Sequence, residues 1–213
     1  MLRHRIIQRI IRQMVMKKDL SSPLGINDSD IITQRVVDGK RIFHPVYLKW
    51  RNMLRRCLVK HNKHQYYESV SVCDEWYYLS NFISWVGDTD VAGLYLDKDI
   101  LGDGKIYSPE SCAFVTQECN QFFSSVKKNG KYMIGVSKET RLADTFYCHY
   151  KGRYIGSFRT ETDAHKAWQI EKRNHAKSLA ISEQDVRIRQ KLQDIIAKIE
   201  YDILMGEETC SLT

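Results

Sequence analysis

Apolar residues Ile6, Ile7, Ile10, Ile11, Met14 and Val15 return at helical spacing, while Arg5, Arg9 and Arg12 fall on the remaining faces. This predicts a basic amphipathic helix over residues 1–18. Ser21, Ser22, Pro23, Gly25, Asn27 and Asp28 then follow neither regular period, which reads as a linker. Asp38-Gly39 between two short apolar runs predicts a hairpin with a primed turn, so linker and hairpin together take 19–43. From Pro45, the residues Val46, Tyr47, Trp50, Met53, Leu54, Cys57 and Leu58 keep helical spacing, with Lys49, Arg51, Arg55, Arg56 and Lys60 on the other faces. Asp74, Trp76, Leu79, Phe82, Ile83, Trp85 and Val86 predict a further helix, whose aromatic stripe reads as core in preference to a base-stacking platform.

In the second half, segments 134–136, 145–151 and 153–158 predict three strands, and Thr160 opens a capped helix through Ala164, Ala167 and Trp168. Alternation sends Phe146, Cys148 and Tyr150 toward that helix and leaves Tyr147, His149 and Lys151 on the opposite face. Ser182 with Asp185 looks like a capping box, and Val186, Leu192, Ile195, Ile196, Ile199 and Ile203 follow at helical spacing to Gly206. A last helix is expected over 182–206. It can pack on the body or pair with a second copy as a dimer, and fewer than four heptads do not decide between them. The expected fold class is α+β with helical extensions at both termini.

Hydrophobic residues make up 43% of the 213 and aromatic residues 11%, enough for a buried core in one domain or two small ones. The formal charge of +7 favours a polyanionic partner, because Lys and Arg gain affinity by releasing counterions from phosphates. Arg3, Arg5, Arg9, Arg12, Lys17 and Lys18 all precede the first acidic residue, Asp19, so the excess is mostly N-terminal. That first helix can dock on its own protein, lie along DNA or rest on a membrane surface; an acid-free, Arg-rich start also fits a mitochondrial transit peptide. Arg9 and Arg12 interrupt the opening apolar run, which excludes a secretory segment, and nothing approaches the roughly 20 apolar residues of a membrane span. The expectation is a cytoplasmic protein with no membrane partner. The six cysteines include no CxxC pair and read as reduced, buried thiols, with zinc at Cys112 and Cys119 the weaker alternative.

The densest chemistry lies in Leu96-Asp97-Lys98-Asp99-Ile100, Gly102-Asp103-Gly104-Lys105, then Tyr107-Ser108-Pro109-Glu110-Ser111-Cys112-Ala113-Phe114-Val115-Thr116, and Asn120. Upstream stand Tyr47-x-x-Trp50-x-x-Met53-x-x-Arg56-Cys57 and Val72-Cys73-x-Glu75-Trp76. In this order and spacing the set resembles the phage HNH homing endonucleases, in those members whose D-H is replaced by D-R or D-K, and the resemblance assigns residues 44–125 to an HNH-like module with a ββα-type core. It implies one divalent metal, Mg or Mn, held on the scissile phosphate while a His activates water. Carried over, Asp97 and Asn120 become metal ligands and catalytic residues, Ser111 falls at the mid-motif Asn position and Lys98 at the general-base position. An exposed Lys, with a reference pKa near 10.4, takes no proton from water at pH 7 unless burial lowers it by several units. A charged Lys98 would instead clamp phosphate charge or stabilise the transition state, with His44 or His149 as other sources of a base. Without the flanking blocks, Asp97, Asp99, Gly102, Asp103 and Gly104 suit a plain turn between strands. Gly104-Lys105 lacks the spacing of a P-loop.

The segment from Ile134-Gly135-Val136 through Gly156-Ser157-Phe158 to Thr160, Ala164, Ala167 and Trp168 resembles the AP2 domain, over residues 130–180. In that family the open face of a three-stranded sheet lies in the DNA major groove. The contacting positions fall on Ser137, Glu139, His149, Lys151 and Tyr154, with Lys138, Arg141, Tyr147 and Arg153 nearby; Arg5, Arg9 and Arg12 are candidate phosphate contacts. His and Tyr read bases less specifically than Arg and Lys. Taken together, the resemblances imply a phage double-stranded-DNA-binding protein acting as a metal-dependent, homing-like endonuclease or nickase. The alternative is a catalytically inactive DNA-binding or regulatory protein, and a third option is a protein-interaction module built on the terminal helices.

Overall fold

Pro45 occupies the first turn of a helix, where a missing N–H costs no hydrogen bond, and opens α1 (Pro45–Leu58). The computed structural model describes residues 24–58, 70–124, 130–138 and 145–212. The helix expected over 1–18, with Arg5, Arg9 and Arg12, lies outside the described residues, as do Glu139 and Arg141. The chain divides between Val115 and Thr116 into two compact units. It is an α+β protein, and among the described residues no helix is long and apolar enough to cross a membrane.

In the first unit, strands β1 (Gln34–Val37) and β2 (Lys40–Phe43) form an antiparallel hairpin leading into α1. Trp50, Met53 and Leu54 share the buried face of α1, and the Trp50 indole N–H donates to the Trp76 carbonyl at 2.7 Å, so its polar atom is satisfied inside the core. Strand β3 (Ser71–Val72) leads to a 3-10 turn, Asp74–Tyr77, and to α2 (Leu79–Val86). The single helix expected over 74–86 is thus broken. Tyr78 is extended because its neighbours pair with Ile26: Ile26 N–H donates to the Tyr77 carbonyl at 2.8 Å, and Leu79 N–H donates to the Ile26 carbonyl at 3.0 Å. The stretch read as linker is therefore docked from Leu24 onward. Gly25 makes this approach feasible, since a Cβ there would lie 2.5 Å from the Trp50 ring and 2.8 Å from the Tyr77 carbonyl. Trp76, Phe82, Trp85 and Phe114 pack as a connected aromatic group, with Trp76 and Phe82 edge to face at 5.0 Å. The aromatic stripe is core, as its spacing predicts. Two short pairings complete the unit: β3 with β5 (Ile106–Tyr107), parallel, and β4 (Tyr95–Asp97) with β6 (Ala113–Val115), antiparallel.

The second unit starts with α3 (Gln117–Ser124) and continues into an antiparallel sheet of β7 (Val136–Lys138), β8 (Phe146–Tyr150) and β9 (Arg153–Phe158), in that order. Helix α4 (Glu161–Ser182) follows, with the Thr160 hydroxyl accepting from Asp163 N–H. Phe146, Cys148, Tyr150, Ile155 and Phe158 pack under Ala164, Ala167 and Trp168, covering one face of the sheet. Helix α5 (Val186–Met205) is capped by Asp185, whose carboxylate accepts from Arg187 N–H at 2.9 Å. Ser182 is instead the last residue of α4 and donates back to the Leu179 carbonyl, so it ends one helix and does not start the next. Ile188, Leu192, Ile195 and Ile199 are buried, and α5 lies along α4. That apolar stripe is used within the unit. The tail after Gly206 is held by a buried polar set: Thr209 donates to Asp202, Gln169 donates to Thr209, and the His165 ring accepts Thr209 N–H while donating to the Ile134 carbonyl.

Candidate functional site

Asp97 ends β4 opposite Ala113 of β6, where the chain leaves the hairpin for the loop 98–105. Its Oδ1 accepts from the N–H groups of Asp99 and Ile100 at 2.8 and 2.9 Å, which folds the next residues into a tight turn. Burial raises the carboxyl above its usual value, outweighing those two hydrogen bonds. Among the described residues, no hydrogen bond reaches Oδ2.

Lys98 turns inward and is only 6% exposed. Its Nζ lies 2.7 Å from Asp99 Oδ1 and 5.7 Å from the centre of the Tyr107 ring. Gly104 closes the loop over this pair with φ +75, and a Cβ there would meet Asp99 Oδ1 at 2.4 Å. Ser111, at the mid-motif position, is occupied by loop structure: its hydroxyl donates to the Ile106 carbonyl at 2.7 Å and accepts from Ser108 N–H. Burial pushes the Cys112 thiol up to about 12, so it is protonated at neutral pH and does not offer a thiolate.

A magnesium-class ion takes oxygen donors in near-octahedral geometry, usually one or two carboxylates plus water and phosphate. The loop offers Asp97 Oδ2, while the neighbouring carboxylate, Asp99, is engaged by the Lys98 ammonium. Among the described residues no group of three His, Cys, Asp or Glu side chains is placed to hold a metal. The donor set of this loop does not by itself fit a resident metal ion. Asn120, the other ligand the sequence points to, stands in α3 of the second unit, and Cys119 beside it is buried, whereas Asp97 and Cys112 belong to the first.

The second candidate is the open face of the β7–β9 sheet. Ser137 opposes Tyr147, Tyr147 opposes Ser157, and His149 opposes Tyr154, all on the side away from α4. Tyr154 is 55% exposed, and its ring centre lies 6.1 Å from that of Tyr147 and 5.7 Å from that of His149. A register shift at Cys148/His149 lets Tyr154 face outward while Ile155 packs inward. Four of the expected contacts, Ser137, Tyr147, His149 and Tyr154, therefore share one surface. Arg153 opposes Tyr150 and reaches Glu171 of α4 at 2.6 Å, on the helix side. Lys138 opposes Phe146, with its ammonium 5.0 Å from that ring, also on the helix side. Lys151 sits in the turn with φ 50 and bonds Glu118 at 2.7 Å.

No family model, curated protein or solved structure matches the chain. The residues and their geometry carry the functional reading.

One cluster escaped the sequence reading. Lys172 is buried in α4, donates to the Phe122 carbonyl at 2.7 Å and lies 3.5 Å from the Phe122 ring centre; burial lowers its pKa to about 7. Beside it, His175 Nε2 donates to Glu118 at 3.0 Å and Nδ1 meets the Tyr150 hydroxyl at 2.7 Å. Lys151, the principal cause, and His175 hold the Glu118 carboxyl below its usual value. The signal was available: Lys172 falls four residues after Trp168 and four before Ala176, on the stripe α4 buries.

Proposed function

We propose that this protein binds double-stranded DNA through an AP2-like sheet, and that its HNH-like loop is a nuclease-derived element that contributes binding and no hydrolysis. The observation that carries the proposal is the face of β7–β9 turned away from α4, where, among the described residues, Ser137, Tyr147, His149 and Tyr154 present hydrogen-bonding and aromatic groups while α4 fills the other side. Such a face meets base edges and sugar-phosphate with the same side chains. The chain order β7, β8, β9, α4 is the one an AP2-like module would have, which supports the sheet reading. Lys98, which stands where the resemblance would put the general base, is buried and lies 2.7 Å from Asp99 Oδ1, so its amine is turned to a carboxylate of its own loop.

A second reading, metal-dependent nicking, is favoured by the open Oδ2 of Asp97. A divalent ion bound there would supply Lewis-acid polarisation of a phosphate, and it would require ligands beyond those the loop offers.

The proposal is tested by duplex binding. His149→Ala with Tyr154→Ala is expected to weaken the preferred duplex about tenfold or more and to narrow its advantage over unrelated duplexes. The measurement is fluorescence anisotropy on a panel of sequences at fixed salt. Unchanged affinity for every duplex would remove the sheet face from DNA recognition.

A further inference from the structure

Strands β1 and β2 form a two-stranded ribbon with no buried face. All four residues of β1 are exposed, as are the first three of β2, and Val36 and Ile42 are 68% and 50% exposed. A hairpin without an apolar face to bury is marginal in water, yet this one is firmly mounted at its base. His44 N–H donates to the Thr33 carbonyl at 2.8 Å, Phe43 stacks on Tyr47 at 6.2 Å, and the Arg51 guanidinium lies 4.2 Å over the Phe43 ring. Its far end is the tight Asp38-Gly39 turn, with φ of 50 and 71.

Register fixes what each side displays. Arg35 opposes Ile42 and Val37 opposes Lys40 on one face; Val36 opposes Arg41 on the other. The ribbon thus carries three exposed cations interleaved with branched apolar side chains, and one acid, Asp38, at its tip. We infer that this hairpin is a second DNA-contacting element that enters the major groove of a duplex, an inference that rests on the proposed DNA-binding function. The dimensions agree: four residues span about 13 Å and two strands lie about 4.8 Å apart, against a groove about 12 Å wide and 8.5 Å deep that admits a two-stranded ribbon. The chemistry agrees as well. Arg35, Lys40 and Arg41 reach phosphates or guanine edges, and Val36, Val37 and Ile42 suit the thymine methyl that only this groove presents. Asp38 at the tip opposes phosphate and tolerates a cytosine amino group.

The test uses the full chain with duplex and single-stranded oligonucleotides, titrated with salt, in wild type, Arg35→Gln/Lys40→Gln/Arg41→Gln and Asp38→Asn. The triple variant keeps the turn and the mounted base, and its melting temperature is checked against wild type. Its duplex affinity is expected to fall tenfold or more near 0.1 M salt, with the slope of log affinity against log salt reduced by about 2–3. Asp38→Asn, which retains a turn-forming residue, is expected to bind all duplexes more tightly, a gain no folding defect produces. If wild type binds duplex and the triple variant matches it in affinity and slope, the hairpin inference is overturned while the sheet reading stands. If wild type binds no duplex at low salt, the DNA-binding proposal itself is lost. If Val36→Thr/Ile42→Thr turns a wild-type dimer into a monomer in sedimentation without changing duplex affinity, the ribbon is a surface between copies and the inference is overturned.

Discussion

Gly135→Ala destabilises the second unit by about 2–5 kcal/mol, a large share of the 5–15 kcal/mol that holds a typical domain together. Two costs combine. Gly135 has φ +79, a region that charges an L side chain about 1–2 kcal/mol. A Cβ there would also lie 2.1 Å from the Trp168 ring, and overpacking of this kind costs about 1–3 kcal/mol. Trp168 has no room to step aside, because it is nearly buried and stacks on His165 with centres 5.5 Å apart and planes 14° from parallel. The Gly135 carbonyl also accepts His149 N–H at 2.9 Å, so the strain is transmitted to the strand bearing the candidate contact His149. Thermal denaturation should show a fall of roughly 10 °C or more. Gly39→Ala provides the comparison: φ is +71 there, but nothing lies within 4 Å of its Cβ position, so only the backbone cost applies. Equal shifts for the two variants would contradict the packing argument.

The second large effect is on pH dependence. Lys172 titrates near 7 when folded and near 10.4 when unfolded, with burial the main cause and Lys151 the second. Its folded pKa is depressed, so between these values the unfolded chain holds a proton the folded one lacks, and stability rises with pH. From pH 7 to 9 the gain from this one group is about 2 kcal/mol. His175, also lowered by burial, acts in the same direction below its usual value. Above pH 9 the buried Cys148 thiol, raised to about 11, and the raised Tyr150 hydroxyl oppose it, because their unfolded counterparts ionise first. Lys172→Met keeps the apolar stem over Phe122 and should flatten the rise between pH 7 and 9 in urea denaturation. An unchanged slope would show that Lys172 is not the group responsible.

Local periodicity made much of the sheet unit legible. Phe146, Cys148 and Tyr150 alternate with Tyr147 and His149, so a period of two already separated the packed face from the open one. Arg153 and Lys138 were harder. The two-residue turn at Lys151-Gly152 pairs Tyr150 with Arg153 and thereby gives both the same face, which depends on turn register and not on composition. In the first unit, the break at Tyr78 comes from a bridge to Ile26, more than fifty residues earlier, and helical spacing alone carries no trace of it. Asp97 and Lys98 were visible as a motif, but the burial of Lys98 and its engagement with Asp99 follow from how the loop folds over them at Gly104. Lys172 was legible only as an exception, a cation on an apolar stripe.

The most direct measurement incubates the purified 213-residue chain with supercoiled plasmid in Mg²⁺, Mn²⁺ or EDTA, alongside Asp97→Ala, and reads retention and nicking from the same samples. DNA retention that weakens with salt and persists in EDTA, without nicking in either metal, is the expected result. Metal-dependent nicking that disappears in Asp97→Ala would contradict it and make the loop an active nuclease centre.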